Sequence, residues 1–377
     1  MFALGFLLLI NNYINVNINC IFTQISEGDM KKSVKTIAIL TTGDEVVSGD
    51  ILNKNVKLIS TLLESQRMIV MRHLSVRDDS EEIIESLKWL SLTHDAIIIT
   101  GGLGPTVDDL TTEVVATFAG LSLDFNHEVW IKIQEKYSLW NKQCLEINKK
   151  QAFFPKHVTL LPNLVGTAYG FYLQYQSTDL FVLPGPPKEC MPMVENQIIK
   201  ILSDNGFQCG DYRDNWFILG IGESTIASKL EPICQSEGLK VSFRAGFPYV
   251  EMKIFTPVEQ YNTQPIKNAM KEWVVTKENM FFSNCFFNQN IATKMSFDVP
   301  KESHWVMDWL PNWQQYHGSH QIRIQSSNQH ITIDYNGHKE SFSLSAYQSN
   351  ERIKSFCMEW ICYHCLNTFD IISKQDK

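Results

Sequence analysis

Residues 97–109 constrain this chain more than any other stretch. Ile97-Ile98-Ile99-Thr100 is an unbroken β-branched run that ends in Gly101-Gly102-Leu103-Gly104-Pro105, and the pair Asp108-Asp109 follows. A run without polar alternation reads as a strand buried on both faces, as in parallel sheets. Gly101, Gly102 and Gly104 permit positive φ and let a ligand approach the bare backbone. Successive N–H groups ahead of the positive end of a helix suit a phosphate or pyrophosphate. Asp108 and Asp109 stand where carboxylates could hold a divalent metal against that phosphate. A second reading stays open, in which this is a glycine strand-to-helix turn with Asp109 as the helix N-cap.

The pattern around this stretch repeats. Residues 36–41 and 68–74 read as strands, 52–64 as a helix with Leu52, Val56, Ile59, Leu62 and Leu63 inward, and 80–92 as a helix capped by Asp79-Ser80. The βαβαβ rhythm predicts an α/β fold with a parallel sheet and helices on both faces. Ligands in such sheets bind at the carboxyl ends of the strands. Asp44-Glu45 and the Gly101 turn both follow strands, so they are expected to face one crevice, although Asp44-Glu45 could also simply cap a helix. Four carboxylates beside a phosphate loop make sense chiefly with a divalent metal to neutralise them. Lys149, Lys150 and Gln151 add cationic and hydrogen-bonding groups for phosphate or ribose hydroxyls.

Helices are expected near 110–118 and 127–140, a hairpin over 169–183, and a helix from Pro187, which can serve as its first residue. A shorter α+β pattern follows, with strands at 216–219, 240–244 and 249–255 and helices ending at Cys234 and over 266–275. The last strands are 321–325 and a hairpin over 331–344 turning at Asn336-Gly337, before a helix over 350–366.

At 377 residues the chain is long enough for two or three domains. Its net charge of −8 argues against non-specific nucleic-acid binding. Nine scattered cysteines fit reduced thiols in a cytoplasmic protein. Residues 1–29 hold an apolar run far shorter than the ~20 residues of a spanning helix, without the basic start of a signal peptide. They are expected to be a disordered leader or a mis-assigned start before Met30, with a membrane anchor as the weaker alternative. Cys362 and Cys365 lack a second ligand pair for zinc. His317 and its neighbours read as surface residues, and Trp305, Trp309 and Trp313 as packing residues.

Five stretches in order resemble the CinA family, whose N-terminal domain is related to molybdopterin-binding domains. They are Thr42-Gly43-Asp44-Glu45-Val46-Val47-Ser48-Gly49, the 100–111 stretch, Asn148-Lys149-Lys150-Gln151-Ala152, Gly166-Thr167-Ala168-Tyr169-Gly170-Phe171 and Leu183-Pro184-Gly185-Pro186-Pro187-Lys188-Glu189. The resemblance implies a three-layer molybdopterin-binding-like domain with a mostly parallel sheet over 30–205, and a small α+β KH-like domain over 206–283. Residues 284–377 are then a degenerate α+β remnant of the family's C-terminal amidase domain. That domain's serine stretch, Ala-Glu-Ser-Cys-Thr-Gly-Gly, is missing from this sequence, so no nicotinamide mononucleotide deamidase activity is expected.

The resemblance further implies hydrolysis of ADP-ribose, or a related nucleotide, to AMP and ribose 5-phosphate with a divalent metal (cobalt, magnesium or manganese) and potassium. Asp44, Glu45, Asp108 and Asp109 would form the metal cluster, with Asp44, Asp108 and Asp109 catalytic. Gly101, Gly102, Leu103, Gly104 and Thr106 would meet the phosphates, and Asn55, Lys150, Gln151 and Thr167 the rest of the nucleotide. One departure stands out, since family members commonly carry Asp-Thr-Asn where this chain has Asn53-Lys54-Asn55. The alternative is a protein that binds molybdopterin or a nucleotide without hydrolysis, and a third is a scaffold. The expected partner is a small-molecule nucleotide, with no nucleic acid or membrane, in a homodimer or higher homo-oligomer.

Overall fold

The two apolar runs that read as buried strands lie side by side. β1 (Thr36–Thr42) and β3 (Ala96–Thr100) are parallel, with Ile39 opposite Ile98, and β3 is buried along its whole length. β2 (Ile69–Val76) and β8 (Thr178–Leu183) flank them, and β7 (Gly170–Tyr175) and β6 (Thr159–Leu161) complete the sheet. The order is β2-β1-β3-β8-β7-β6, parallel across the first four strands and antiparallel across the last two.

The computed structural model describes residues 34–246 and 248–271, then residues 273, 307, 310 and 314 and segments 275–276, 295–299, 320–326, 330–335, 338–343 and 350–368. The leader, His304, His317, the three tryptophans 305, 309 and 313, and the Asn336-Gly337 turn lie outside the described residues. The chain divides into two units between Gly210 and Asp211, so the expected segments 206–283 and 284–377 fall mostly within the second.

In the first unit, alternation along the strands sends side chains to opposite faces. Ala38, Leu40, Ile97, Ile99 and Val182 pack in one core with α3 (Ser80–Ser91), α4 (Thr111–Ala119) and α5 (His127–Leu139). Ile37, Ile39, Ile98, Phe181 and Leu183 pack in the other with α2 (Lys54–Ser65), α6 (Pro187–Met193) and α7 (Ile199–Asp204), where α1 is the short Asp44–Val47 helix. Each fully buried Ile or Leu contributes about 1.5–3 kcal/mol. This sandwich is an α/β fold with a mostly parallel sheet. Leu52, expected inside α2, is 83% exposed, because Asn53 caps the helix by accepting from the Val56 amide and leaves Leu52 before it.

The second unit carries a sheet ordered β10-β11-β9-β12, where β9 is Tyr212–Leu219, β10 Lys240–Ala245, β11 Tyr249–Thr256 and β12 Val275–Thr276. α8 (Glu223–Ser236) and α9 (Gln264–Ala269) pack on it through Ile226, Leu230 and Ile266. The helix expected over 266–275 stops early, since β-branched Val275 pairs with Ile218 as a strand instead. A second sheet, β13-β14-β15-β16, comprises Met295–Asp298, His320–Ser326, His330–Tyr335 and His338–Ser343. Within α10 (Asn350–Thr368), buried Glu359 accepts from the Tyr249 hydroxyl at 2.7 Å. Burial pushes the Cys357 thiol up to about 12. The side chains of His364 and Cys365 lie outside the described set. Among the described residues, no helix is long and apolar enough to cross a membrane.

Candidate functional site

The site is built on the turn that leaves β3. Gly101 has φ 111° and Gly102 φ 64°, both in the region that favours glycine. A Cβ on Gly101 would lie 2.4 Å from the Thr42 carbonyl oxygen, and one on Gly102 would lie 2.2 Å from Thr111 Oγ1. The turn is pinned at both ends, because the Gly101 amide donates to Leu183 O and the Thr111 amide donates to Gly102 O, each at 3.1 Å. Between these pins, the amides of Gly102, Leu103 and Gly104 donate to no protein acceptor among the described residues. The same three residues line a cleft of about 460 Å³ with Asp109, Lys150 and Gln151.

Lys150 and Gln151 sit on a 3-10 turn, Glu146–Ala152, facing the glycine loop. Gln151 Nε2 donates to Leu103 O at 3.1 Å, while its Oε1 accepts from Thr167 Oγ1 at 3.0 Å. Thr167 therefore fixes which end of the Gln151 amide meets the loop. Lys150 Nζ donates to Thr106 O at 2.9 Å and lies 3.7 Å from Glu113. Lys149 points elsewhere, paired with Glu146 and 5.9 Å over the Trp130 ring, so only one of the two lysines serves the cleft. Asp109 Oδ2 accepts from both the amide and the hydroxyl of Thr106. It is not the N-cap of α4, a position held by Leu110 without a side-chain cap.

The expected carboxylate cluster is not assembled. Asp44 and Glu45 are exposed on α1, and Asp44 lies 4.0 Å from Arg77. Asp108 is exposed in the turn, and Asp109 is turned back onto Thr106. Among the described residues, no three His, Cys, Asp or Glu side chains converge to hold a metal ion. An acid that the sequence reading missed connects part of the set. Asp78 accepts from the Asp44 amide at 3.2 Å. Burial, with repulsion from Glu45, Asp44 and Asp109, holds its carboxyl above the ordinary range despite that bond. In the sequence Asp78 was hidden beside Asp79, whose Oδ1 accepts from the Glu81 and Glu82 amides as a helix cap.

Asn55 and Asn53 hold the neighbouring strand ends. Asn55 Nδ2 donates to Gly185 O at 2.6 Å, and its buried Oδ1 is without a partner. Asn53 Nδ2 donates to Thr41 Oγ1 at 3.0 Å, in addition to the cap that its Oδ1 provides. The glycine stretch at 166–170 is shaped from behind, where Asn163 Oδ1 accepts from the Gly166 amide and its Nδ2 donates to Glu189 Oε2. Of the thirteen residues expected at the site, Gly102, Leu103, Gly104, Asp109, Lys150 and Gln151 meet in the cleft wall. Gly101, Thr106 and Thr167 position them, and Asp44, Glu45, Asn55 and Asp108 are not among the lining residues.

Residues 38–204 match a family described as a probable molybdopterin binding domain. A CinA-like protein of Syntrophotalea carbinolica is 37% identical over 219 residues, which are 58% of this chain and 53% of the relative. A nicotinamide-nucleotide amidohydrolase of Shewanella oneidensis is 32% identical over 225 residues, 59% of this chain and 53% of its own. The chain spans about half the length of the curated relatives it matches. A crystal structure of a CinA protein of unknown function from Thermoplasma acidophilum covers 45% of this chain and 98% of its own, with 29% identity and a TM-score of 0.40.

Proposed function

We propose that this chain, which belongs to the CinA family through its molybdopterin-binding-type domain, binds a nucleotide by its phosphates at residues 102–104 and hydrolyses its pyrophosphate. ADP-ribose is the proposed substrate, with AMP and ribose 5-phosphate as products. The observation behind this reading is the run of three amides without an acceptor, set beside the Lys150 ammonium in one cleft. Consecutive free N–H groups are costly unless water or an anion takes them, and an adjacent cation favours the anion. Asp109 and Lys150 would hold Thr106 so that the loop keeps this shape when the ligand leaves. Hydrolysis adds water across the P–O–P bond, one phosphate departing with each half of the substrate.

The divalent metal and potassium implied by the family do not fit the carboxylates as they stand, since no three converge among the described residues. That same geometry favours a second reading, a protein that binds molybdopterin or a nucleotide without hydrolysis. Incubation with ADP-ribose, with magnesium, manganese or cobalt and potassium present, separates the two by chromatography of the products. AMP formation supports the hydrolase, and saturable binding without AMP supports the second reading.

For the second unit we retain the KH-like reading of the β10-β11-β9-β12 sheet and the amidase-remnant reading of 284–377. One relative is named an amidohydrolase, but the sequence lacks the serine stretch. Ammonia released from nicotinamide mononucleotide by the purified chain would overturn that remnant reading. A cytoplasmic homo-oligomer completes the proposal.

A further inference from the structure

The cleft has a stretch of lining that the phosphate reading does not use. Its wall there comes from a two-stranded flap, β4 (Leu123–Phe125) and β5 (Phe153–Pro155), paired antiparallel with Phe125 opposite Phe153. Adjacent residues on a strand point to opposite sides, and the flap uses both. Phe154, also part of the cleft lining, is buried edge-on against Phe171 of the main sheet, with ring centroids 6.2 Å apart, which anchors the flap. Phe153 is 39% exposed, lines the cleft, and is braced at one side by Phe125, centroids 5.1 Å apart at 60°. Leu123 and Tyr169 extend this apolar surface.

We infer that the flap end of the cleft seats a planar heteroaromatic ring, with Phe153 as its stacking face, so that the ligand is a base-bearing phosphate rather than a bare sugar phosphate. The inference rests on the phosphate-binding reading and specifies the other half of the ligand. Phe153 is three residues from Lys150 on one short turn-and-strand segment, so the anionic seat and the ring seat are held in fixed relation. A volume of about 460 Å³ lies within the ~300–1,000 Å³ of small-molecule sites. The lining combines unbonded amides and the Lys150 ammonium, beside the Asp109 and Glu113 carboxylates, with a braced aromatic face. A ligand charged at one end and flat and apolar-faced at the other matches both.

Calorimetric titration of the full chain with AMP and, separately, with ribose 5-phosphate tests this. AMP should bind at least about tenfold tighter than ribose 5-phosphate, the scale of one base–aromatic stack. Phe153→Leu should weaken AMP by about tenfold and leave ribose 5-phosphate unchanged, while Phe153→Trp keeps the AMP affinity. Equal affinities for the two ligands in the wild type, or equal losses for both in Phe153→Leu, overturn the ring seat and leave the phosphate loop standing. Binding of neither ligand overturns both.

Discussion

Lys150 and Thr106 meet beside the cleft, the lysine ammonium donating to the threonine carbonyl at 2.9 Å while Asp109 Oδ2 accepts from the threonine amide and hydroxyl. The loop after β3 is thus held from both flanks before any ligand arrives. Holding a binding loop in its working shape lowers the ordering cost of binding.

Lys150→Met should therefore weaken ADP-ribose binding by about tenfold, the lower end of what one hydrogen bond to a charged group contributes. Calorimetry measures the affinity, and circular dichroism should show the fold intact. An unchanged affinity would mean that the ammonium serves only Thr106 and Glu113.

Two glycines with the same hand of backbone should respond differently to alanine. Gly102 has φ 64° and Thr111 in the way of a Cβ, whereas Gly120, φ 69° at the end of α4, has nothing within 4 Å. Gly120→Ala should cost about 1 kcal/mol from the left-handed backbone alone. Gly102→Ala should cost about 2–4 kcal/mol, because the loop must also move. Urea denaturation measures both, and equal costs would contradict the packing described around Gly102.

Asp78 carries a pH prediction. Its folded-state carboxyl titrates above the ordinary value of 3.8, through burial and then repulsion from Glu45, Asp44 and Asp109. The stabilising contribution of such a group is fully present below 3.8 and is lost as pH rises through the folded value. At neutral pH ionised Asp78 is therefore a liability. Asp78→Asn, which can still accept from the Asp44 amide, should raise the melting temperature at pH 7, with the gain shrinking towards zero as the pH falls to 3.8. A lower melting temperature at pH 7 would show that the carboxylate is stabilising where it stands.

Because no three carboxylates converge among the described residues, millimolar magnesium without nucleotide should leave the melting temperature unchanged. A clear rise would mean that the acids gather around the ion unaided, since anything that binds only the folded state stabilises it.

The sheet was legible because β-branched runs leave few alternatives to buried strands. Ala96–Thr100 lies where the sequence puts it, and Asp79 caps α3 as its position beside Ser80 suggests. The glycine loop was legible for the same local reason, as Gly101 and Gly102 do adopt the positive φ that only glycine takes easily. What escaped depends on contacts far apart in sequence. Nothing local separates Lys149 from Lys150, yet one faces Trp130 and the other Thr106. Asp78 is half-buried in the fold and accepts from the amide of Asp44, 34 positions away. The early end of α9 reflects pairing of Val275 with Ile218, a tertiary preference that overrides helical spacing.

In the proposed function the amides of Gly102, Leu103 and Gly104 receive the phosphates. An NMR titration of the ¹⁵N-labelled full chain with ADP-ribose reads those amides directly. Their proton resonances should move downfield together and saturate with one dissociation constant, as expected for N–H groups gaining a charged acceptor. Binding of ADP-ribose that leaves these three resonances in place would contradict it.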